Sequence, residues 1–267
     1  MLHLLEGEIH LWFAFPDDTG GPHAPAPEHP LLDKGEQIRM ARHRLPAGRR
    51  LFGASHTLVR TTLSQYSEIP PEKWRFVKNS HGKPAIDPAL DPSPLSFSLS
   101  HTRGAAVVAV TRGADVGADI ERTDRNVHAA RLSSRFFSPE EAAALHGMPP
   151  DRLRDHFFLY WTLKESYAKA RGVGLSLPLD SFSFRLEGEP PCRIGFSGEE
   201  GAPGNWRFAV LRPRPPYVAA VGAAAAGPAR ISCFHAQPSG IASPLGFEPL
   251  ALSPLTFLLT LPAGWDR

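Results

Sequence analysis

The sequence predicts an α+β protein built from two comparable halves. Short stretches alternate apolar and polar residues, which is typical of half-buried strands, and longer stretches carry apolar residues at helical spacing. The order strand, helix, strands occurs before about residue 112 and again up to about residue 222, although no repeat is visible in the residues themselves. We therefore divide the chain into an N-terminal half, residues 1–112, a C-terminal half, residues 113–227, and an extension, residues 228–267.

The elements of the first half follow from apolar patterning. Its strand segments are rich in aromatic and β-branched residues or alternate apolar residues with serine. Its helical segments repeat apolar residues three and four positions apart. A His-Gly-Lys-Pro sequence at 81–84 predicts a turn. The predicted order is a strand at 9–15, a helix at 31–44 that stops near Pro46, a helix at 49–66, and strands at 74–77, 95–102 and 105–110.

The second half contains the best-defined helix. Residues 156–171 have helical spacing and no Gly or Pro before Gly172. An earlier helix is predicted from Ser138 because serine caps, proline fits the first turn and glutamate favours the N-terminal end. The extension lacks any consistent period, so we expect it to be poorly ordered. The remaining predictions are strands at 116–121 and 181–186 and a hairpin of 206–211 with 217–221.

The composition is that of an ordinary globular protein, with 42% hydrophobic and 21% charged residues. No run of eighteen apolar residues occurs, so we expect no membrane span, and the first residues lack the pattern of a signal peptide. Two cysteines, Cys192 and Cys233, do not make a disulfide framework, which favours a reducing cytoplasm. A net charge of +2 does not indicate a nucleic-acid-binding protein.

Charged residues on the strand at 116–121 and on the central helix form the candidate site. Asp119 and Glu121 are two residues apart and therefore point to the same strand face, where two carboxylates repel each other unless a cation lies between them. Oxygen ligands suit a hard cation such as Mg²⁺. Glu165 and Lys169 share one helix face, and Glu165 is a plausible third ligand. Each pair taken alone is also compatible with a solvated surface.

These residues belong to a longer series of motifs. The series is Gly-Ala-Asp-Ile-Glu at 117–121, Arg-Phe-Phe-Ser at 135–138 with Glu-Glu at 140–141, Trp-x-x-Lys-Glu-Ser-x-x-Lys at 161–169, and Gly-Leu-Ser-Leu-Pro at 174–178. In this order and spacing the chain resembles a 4′-phosphopantetheinyl transferase of the larger, surfactin-synthetase-activating (Sfp-like) type. The resemblance is close between residues 83 and 184 and does not include the C-terminal extension.

The resemblance implies a pseudo-twofold monomer of two similar α/β halves with the active site between them. It implies transfer of 4′-phosphopantetheine from coenzyme A to a serine of an apo acyl or peptidyl carrier protein, with Mg²⁺ as cofactor and release of 3′,5′-ADP. Glu165, or a metal-bound water that it orients, is then the base. The implied residues are Asp119, Glu121 and Glu165 for the metal, Glu165 and Lys169 for catalysis, and Arg50 (or Arg49), Lys83, Ser100, His101, Lys164 and Lys169 for the coenzyme.

A group of arginines beside the acidic strand predicts where the carrier docks. Arg122, Arg125, Arg131 and Arg135 lie within residues 122–135, and only one acidic residue opposes them. Carrier domains are generally acidic around their serine, so charge complementarity favours docking on this segment.

Two other functions would use the same features. A Mg²⁺-dependent nuclease or pyrophosphatase could use the three carboxylates, and it would cleave coenzyme A without a carrier. A non-enzymatic, arginine-rich module could bind nucleic acid without Mg²⁺ and with a steep salt dependence. The second alternative leaves Glu165 on the central helix unexplained.

Overall fold

The structure is a computed structural model that describes residues 1–16, 29–90, 95–188, 193–198, 205–224, 230–236, 247–249 and 258–260. It is a mixed α+β fold, which confirms the predicted class. The helices are α1 (Lys34–Ala41), α2 (Pro46–Leu63), α3 (Ala129–Phe136), α4 (Pro139–His146) and α5 (Pro150–Arg171). The strands are β1 (Glu8–Ala14), β2 (Phe76–Lys78), β3 (Pro84–Ile86), β4 (Leu95–Thr102), β5 (Ala105–Arg112), β6 (Val116–Arg122), β7 (Ser183–Glu187), β8 (Arg193–Ser197), β9 (Trp206–Leu211), β10 (Tyr217–Ala224), β11 (Arg230–Ala236), β12 (Phe247–Pro249) and β13 (Leu258–Thr260).

The first sheet contains strands from both ends of the chain. Its order is β12-β11-β1-β5-β4, and β11 runs parallel to β1 from the pair Glu8–Arg230 to the pair Phe13–His235. Cys233 of β11 is buried. The expectation of a poorly ordered extension is therefore wrong for residues 230–236. Their partner strand lies more than 200 residues earlier, so no local pattern indicates the pairing. Most of the remaining extension lies outside the described residues.

The second sheet has the order β6-β10-β9-β13-β8-β7. Strands β9 and β10 pair antiparallel, which confirms the predicted hairpin, and β10 also pairs antiparallel with β6. The acidic strand β6 is thus held at one end of this sheet by a regular ladder.

The two sheets share one apolar layer, and each carries a long helix on its other face. Leu11 and Val107 of the first sheet pack with Ile120 and Val221 of the second in the shared layer. The residues between these along the same strands point to the other faces of the sheets, because successive side chains of a strand alternate. Those residues pack against the helices. Helix α2 thus covers the first sheet and α5 covers the second. The predicted pseudo-twofold relation between two halves stays a prediction.

Both long helices begin earlier than predicted. Pro46 begins α2 rather than only stopping the preceding helix, and Pro150 begins α5. Proline is well accommodated in a first turn because its missing N–H group would have no partner there. The predicted start of α4 is confirmed: Ser138 and Glu141 form a capping box. Within the described residues, no helix is both long and apolar enough to cross a membrane.

A buried ion pair joins α1 to α2. The guanidinium of Arg60 lies 2.7 Å from a carboxylate oxygen of Glu36, and both side chains are almost fully buried. Burial favours a raised pKa for Glu36, but hydrogen bonds from His56, from the Asp33 amide and from Arg60 lower its pKa to about 2. Glu36 is therefore a stabilising anion at neutral pH.

Candidate active site

A glycine in β6 allows α5 to lie directly on that strand. Gly117 of β6 and Gly222 of β10 are cross-strand partners. A Cβ atom on Gly117 would fall against the Ser166 carbonyl oxygen and the Ala170 amide nitrogen of α5. This close approach brings the last two turns of α5 over the strand that carries the predicted metal ligands.

Lys169 of α5 and Asp119 of β6 form the centre of the site. The Lys169 ammonium donates to Asp119 Oδ1 at 2.6 Å and to Ser100 Oγ at 2.8 Å. The Ser100 hydroxyl donates to the same Asp119 oxygen at 2.7 Å. The other carboxylate oxygen, Asp119 Oδ2, is buried without a hydrogen-bond partner among the described residues. The cluster thus keeps one unused, buried acceptor.

Glu121 lies on the same face of β6 as Asp119, as the two-residue spacing predicts. It accepts hydrogen bonds from Thr102 Oγ1 at 3.2 Å and from the Arg125 guanidinium at 2.6 Å. Burial raises the pKa of Glu121, the Asp119 carboxylate raises it further, and Arg125 opposes the shift.

Glu165 faces this acidic strand from α5. Burial raises the pKa of its carboxyl group, the charges of Asp119 and Glu121 add to the increase, and Lys169 opposes it. The three predicted ligands are therefore close enough to disfavour one another as anions. Across the described ranges, however, no group of three His, Cys, Asp or Glu residues is close enough to hold a metal ion as it stands.

The chemistry of these donors fits a hard divalent cation. All of the donor atoms are carboxylate oxygens, which Mg²⁺ prefers. The unused Asp119 Oδ2 and the raised pKa values of Glu121 and Glu165 both indicate an excess of negative charge and acceptors. In this structure the Lys169 ammonium supplies part of the compensating charge.

Strand β4 contributes a row of hydroxyl groups that connects the two sheets. Ser98, Ser100 and Thr102 alternate along the strand, so they share one face. The Ala118 amide donates to Ser98 Oγ at 3.0 Å, and the next two hydroxyls contact the carboxylates of β6. Alternating serine predicts a half-buried strand, but it does not show that the hydroxyl face meets a second sheet.

His101 lies at the end of β4 in a group of imidazoles. Partial burial lowers its pKa, and His56, Lys169 and His43 lower it further through their positive charges. The Phe52 ring lies between the other two histidines, 4.1 Å from the ring centroid of His56 and 5.4 Å from that of His43. Neither of these two histidines belongs to a motif, so the sequence analysis missed them.

The two arginines predicted as alternative coenzyme contacts both lie near the start of α2. The Arg50 side chain is buried, whereas Arg49 is exposed and its Nε donates to the His43 carbonyl oxygen at 2.8 Å. Arg49 therefore lies beside a histidine of the imidazole group.

Lys164 does not contact the carboxylates of the candidate metal site; it pairs with another glutamate in the core. Its ammonium is fully buried, lies 2.7 Å from a Glu141 carboxylate oxygen, and donates to the carbonyl oxygens of Leu179 and Phe182. Burial lowers the pKa of Lys164, and Glu141 opposes the shift. Its contact with the phosphates stays a prediction that this geometry does not support, because adjacent helix residues point about 100° apart and Lys164 points into the core.

Lys83 is also directed away from the carboxylates. Its ammonium donates to the Ala170 carbonyl oxygen at 2.7 Å and lies 3.6 Å from an Asp115 carboxylate oxygen. The approach of this side chain to the coenzyme stays a prediction, and in this structure the ammonium is bound at the end of α5.

The arginine-rich segment 122–135 is partly engaged with the site. Arg125 bonds Glu121, and Arg122 pairs with Asp124. Arg131 is exposed and lines a recess of about 540 Å³ between α3 and the start of α5, to which Leu153 and Arg154 also contribute.

Comparison with known proteins agrees with this geometry. A family profile described as the 4′-phosphopantetheinyl transferase superfamily matches residues 115–222, which include β6, α5 and most of β10. The chain is 33% identical over 232 residues to the 4′-phosphopantetheinyl transferase HetI of Nostoc sp., covering 85% of this chain and 92% of that protein. The chain belongs to the 4′-phosphopantetheinyl transferase superfamily.

Two Bacillus subtilis relatives carry the name of the same enzyme. The chain is 34% identical over 196 residues to 4′-phosphopantetheinyl transferase ffp, covering 69% of this chain and 83% of that protein. It is 36% identical over 154 residues to 4′-phosphopantetheinyl transferase Sfp of strain 168, covering 58% of this chain and 65% of that protein. The resemblance to the Sfp-like type is thus confirmed.

Proposed function

We propose that this protein transfers the 4′-phosphopantetheine group of coenzyme A to a serine of an apo acyl or peptidyl carrier protein. Membership of the superfamily supports the transfer reaction. The observation that carries the proposal to this site is the contact of α5 with β6. That contact sets Glu165 and Lys169 against Asp119 and Glu121.

The proposed reaction is a displacement at the β-phosphorus of coenzyme A. The serine oxygen forms the new bond to phosphorus, and the bond to the 3′,5′-ADP oxygen breaks. Asp119, Glu121 and Glu165 would hold Mg²⁺, which when bound neutralises charge on the pyrophosphate. Lys169 can donate to the same phosphate oxygens because its ammonium already lies in the carboxylate cluster.

Glu165 is the proposed general base. A base must lie within reach of the proton that it accepts, and Glu165 faces the cluster of Asp119, Glu121 and Lys169 where the pyrophosphate would bind. Its carboxylate would accept the proton of the serine hydroxyl directly or through one water. Among the predicted coenzyme contacts, we retain Arg50, Ser100, His101 and Lys169. Ser100 and Lys169 contact Asp119, and His101 is close enough to Lys169 for that charge to lower its pKa.

Intact-mass measurement tests the transfer. Apo carrier incubated with coenzyme A, Mg²⁺ and this protein should gain the mass of one phosphopantetheine group. Glu165→Gln should lose most turnover, whereas Glu140→Gln, an exposed glutamate on α4, should remain active. Cleavage of coenzyme A without a carrier would instead favour the pyrophosphatase alternative.

Thermal shift tests the metal assignment separately. Mg²⁺ should stabilise the wild-type protein by binding to the native state, and it should stabilise Glu165→Gln less. Equal Mg²⁺ responses in the two proteins, together with full transfer by the variant, would remove Glu165 from the ligand set.

Carrier docking on residues 122–135 remains a proposal that Arg131 tests best. Reversal of Arg125 would also place a negative charge beside Glu121, whereas Arg131 is exposed. Arg131→Glu should raise the KM for the carrier in a salt-dependent way and leave the KM for coenzyme A unchanged. Arg75→Glu, at an exposed arginine next to β2, is the matched control. Equal carrier KM values in both variants would exclude this docking surface.

A further inference from the structure

The C-terminal end of α5 is held by two side chains from a distant turn. Every helix leaves its last carbonyl groups without partners inside the helix. Here Lys83 Nζ donates to the Ala170 carbonyl oxygen, and Asn79 Nδ2 donates to the Gly172 carbonyl oxygen, both at 2.7 Å. A cation at this end is also favourable for the helix dipole. Residues 79–83 thus cap the end of a helix at separations of 87 and 93 positions along the chain.

The turn at residues 79–83 is itself internally bonded. Asn79 Oδ1 accepts from the amides of His81 and Lys83 at 3.0 and 2.9 Å, and the Asn79 amide donates to the Lys83 carbonyl oxygen at 3.1 Å. Gly82 has a φ of 89°, a conformation that glycine adopts without strain. Asn79 therefore orders the turn with one side-chain atom and holds α5 with the other.

Gly172 makes the contact between the turn and the helix tight. Its φ of 66° ends α5 in the left-handed conformation. A Cβ atom on this glycine would lie only 2.8 Å from Lys83 Cδ, so the lysine stem lies close to the glycine backbone. Only 23% of the Lys83 side chain is exposed.

The clamp that Asn79 and Lys83 form on the end of α5 acts next to a reacting group. Lys169 immediately precedes Ala170, whose carbonyl oxygen Lys83 holds, and the Lys169 ammonium reaches Asp119 and Ser100. A shift of the last turn of α5 would therefore move the Lys169 ammonium relative to the carboxylates of β6.

We propose that Lys83 and Asn79 are positioning residues for the transfer reaction, acting through the last turn of α5 on Lys169. This inference rests on the proposed function for its kinetic consequences. It differs from the role that the resemblance implies for Lys83, which is contact with the coenzyme. The two roles predict different kinetic parameters, because loss of a coenzyme contact raises KM whereas misplacement of Lys169 lowers kcat.

The test compares four variants in the transfer assay. Lys83→Met and Asn79→Ala should each lower kcat about tenfold, since small misplacements of reacting groups are costly. The KM for coenzyme A should stay within about twofold of wild type, as expected for an interaction that acts on the transition state. Lys83→Arg should retain most of the kcat because it keeps a cationic donor. Lys78→Met, at an exposed lysine of β2, should behave as wild type.

Hydrogen exchange provides a readout that does not depend on activity. In coenzyme-free protein, the amides of residues 168–173 should exchange faster in Lys83→Met and Asn79→Ala than in wild type. If the wild-type protein transferred nothing, the proposed function would fail, and this measurement would still test the clamp. Unchanged exchange with unchanged kcat would overturn the inference. So would a raised KM for coenzyme A in Lys83→Met while Asn79→Ala behaved as wild type.

Discussion

Replacement of Lys164 by methionine should destabilise the protein strongly. The ammonium of Lys164 and the carboxylate of Glu141 form an ion pair in which neither side chain is exposed. The change removes this pair and two hydrogen bonds, to the carbonyl oxygens of Leu179 at 2.6 Å and Phe182 at 2.7 Å. These contacts join α5 to α4 and to the chain that leads into β7.

The expected loss of stability follows from the Glu141 carboxylate that remains buried in the core. After the change, Glu141 keeps the amides of Ser138 and Phe184 as donors but has no cation beside it. Removal of one partner of a buried pair typically costs about 3–5 kcal/mol because the other charge stays buried without compensation. For a chain of this size, such a loss lowers Tm by about 10 °C.

Urea denaturation followed by circular dichroism measures this cost. A double variant, Lys164→Met with Glu141→Gln, removes both charges and should recover about 1–3 kcal/mol relative to the sum of the single changes. Lys78→Met, at an exposed lysine, should change stability by less than about 0.5 kcal/mol. A stable Lys164→Met protein with a strongly raised KM for coenzyme A would refute the reasoning and restore the phosphate contact that the resemblance implies.

Three further predictions concern α5, α1 and the C-terminal extension. Gly117→Ala should lower the free energy of unfolding by about 1–3 kcal/mol and lower turnover, because its Cβ atom would push α5 off β6. Gly147→Ala is the control, since its Cβ atom would make only ordinary contacts. Equal Tm values in the two variants would contradict the close approach of α5 to β6. Glu36 has a pKa lowered from 4.5 to about 2, so its contribution is full above pH 4.5 and is lost as pH falls toward 2. Glu36→Gln should therefore cost about 3 kcal/mol in urea denaturation near neutral pH, and the difference from wild type should shrink on acidification below about pH 4; a constant difference would exclude the titration of Glu36 as its cause. Truncation after Gly227 should lower Tm because β1 loses its parallel partner β11, whereas an unchanged Tm would show that this pairing adds no stability.

Local patterns explain why much of the site could be predicted. The two-residue period of a strand places Asp119 and Glu121 on one face, and the structure keeps them there. The helical period places Glu165 and Lys169 on one face, and both face β6. The capping box that begins α4 is likewise a property of four consecutive residues. In each case, the residues that matter are neighbours in the chain.

Patterns that concern one strand or one turn do not identify its distant partner. The alternating serines of β4 predict a strand, but their contact with β6 depends on how two sheets meet. A Gly-Lys-Pro sequence predicts a turn, but only the packed chain shows that Lys83 caps α5. The pairing of β11 with β1 has the same origin, since it joins residues from opposite ends of the chain.

The α+β class, the acidic strand β6, the helix α5 and the family to which the chain belongs could all be predicted, because they depend on residue order and on the periods of strand and helix. The roles of the three lysines near α5 depend on tertiary packing. Lys169 reaches Asp119, Lys164 enters the core to pair with Glu141, and Lys83 holds the end of α5. All three are cations near the same helix, and a cation binds whichever carboxylate or carbonyl oxygen the packing brings within reach. Which oxygen that is depends on the register between α5, β6 and the turn at residues 79–83.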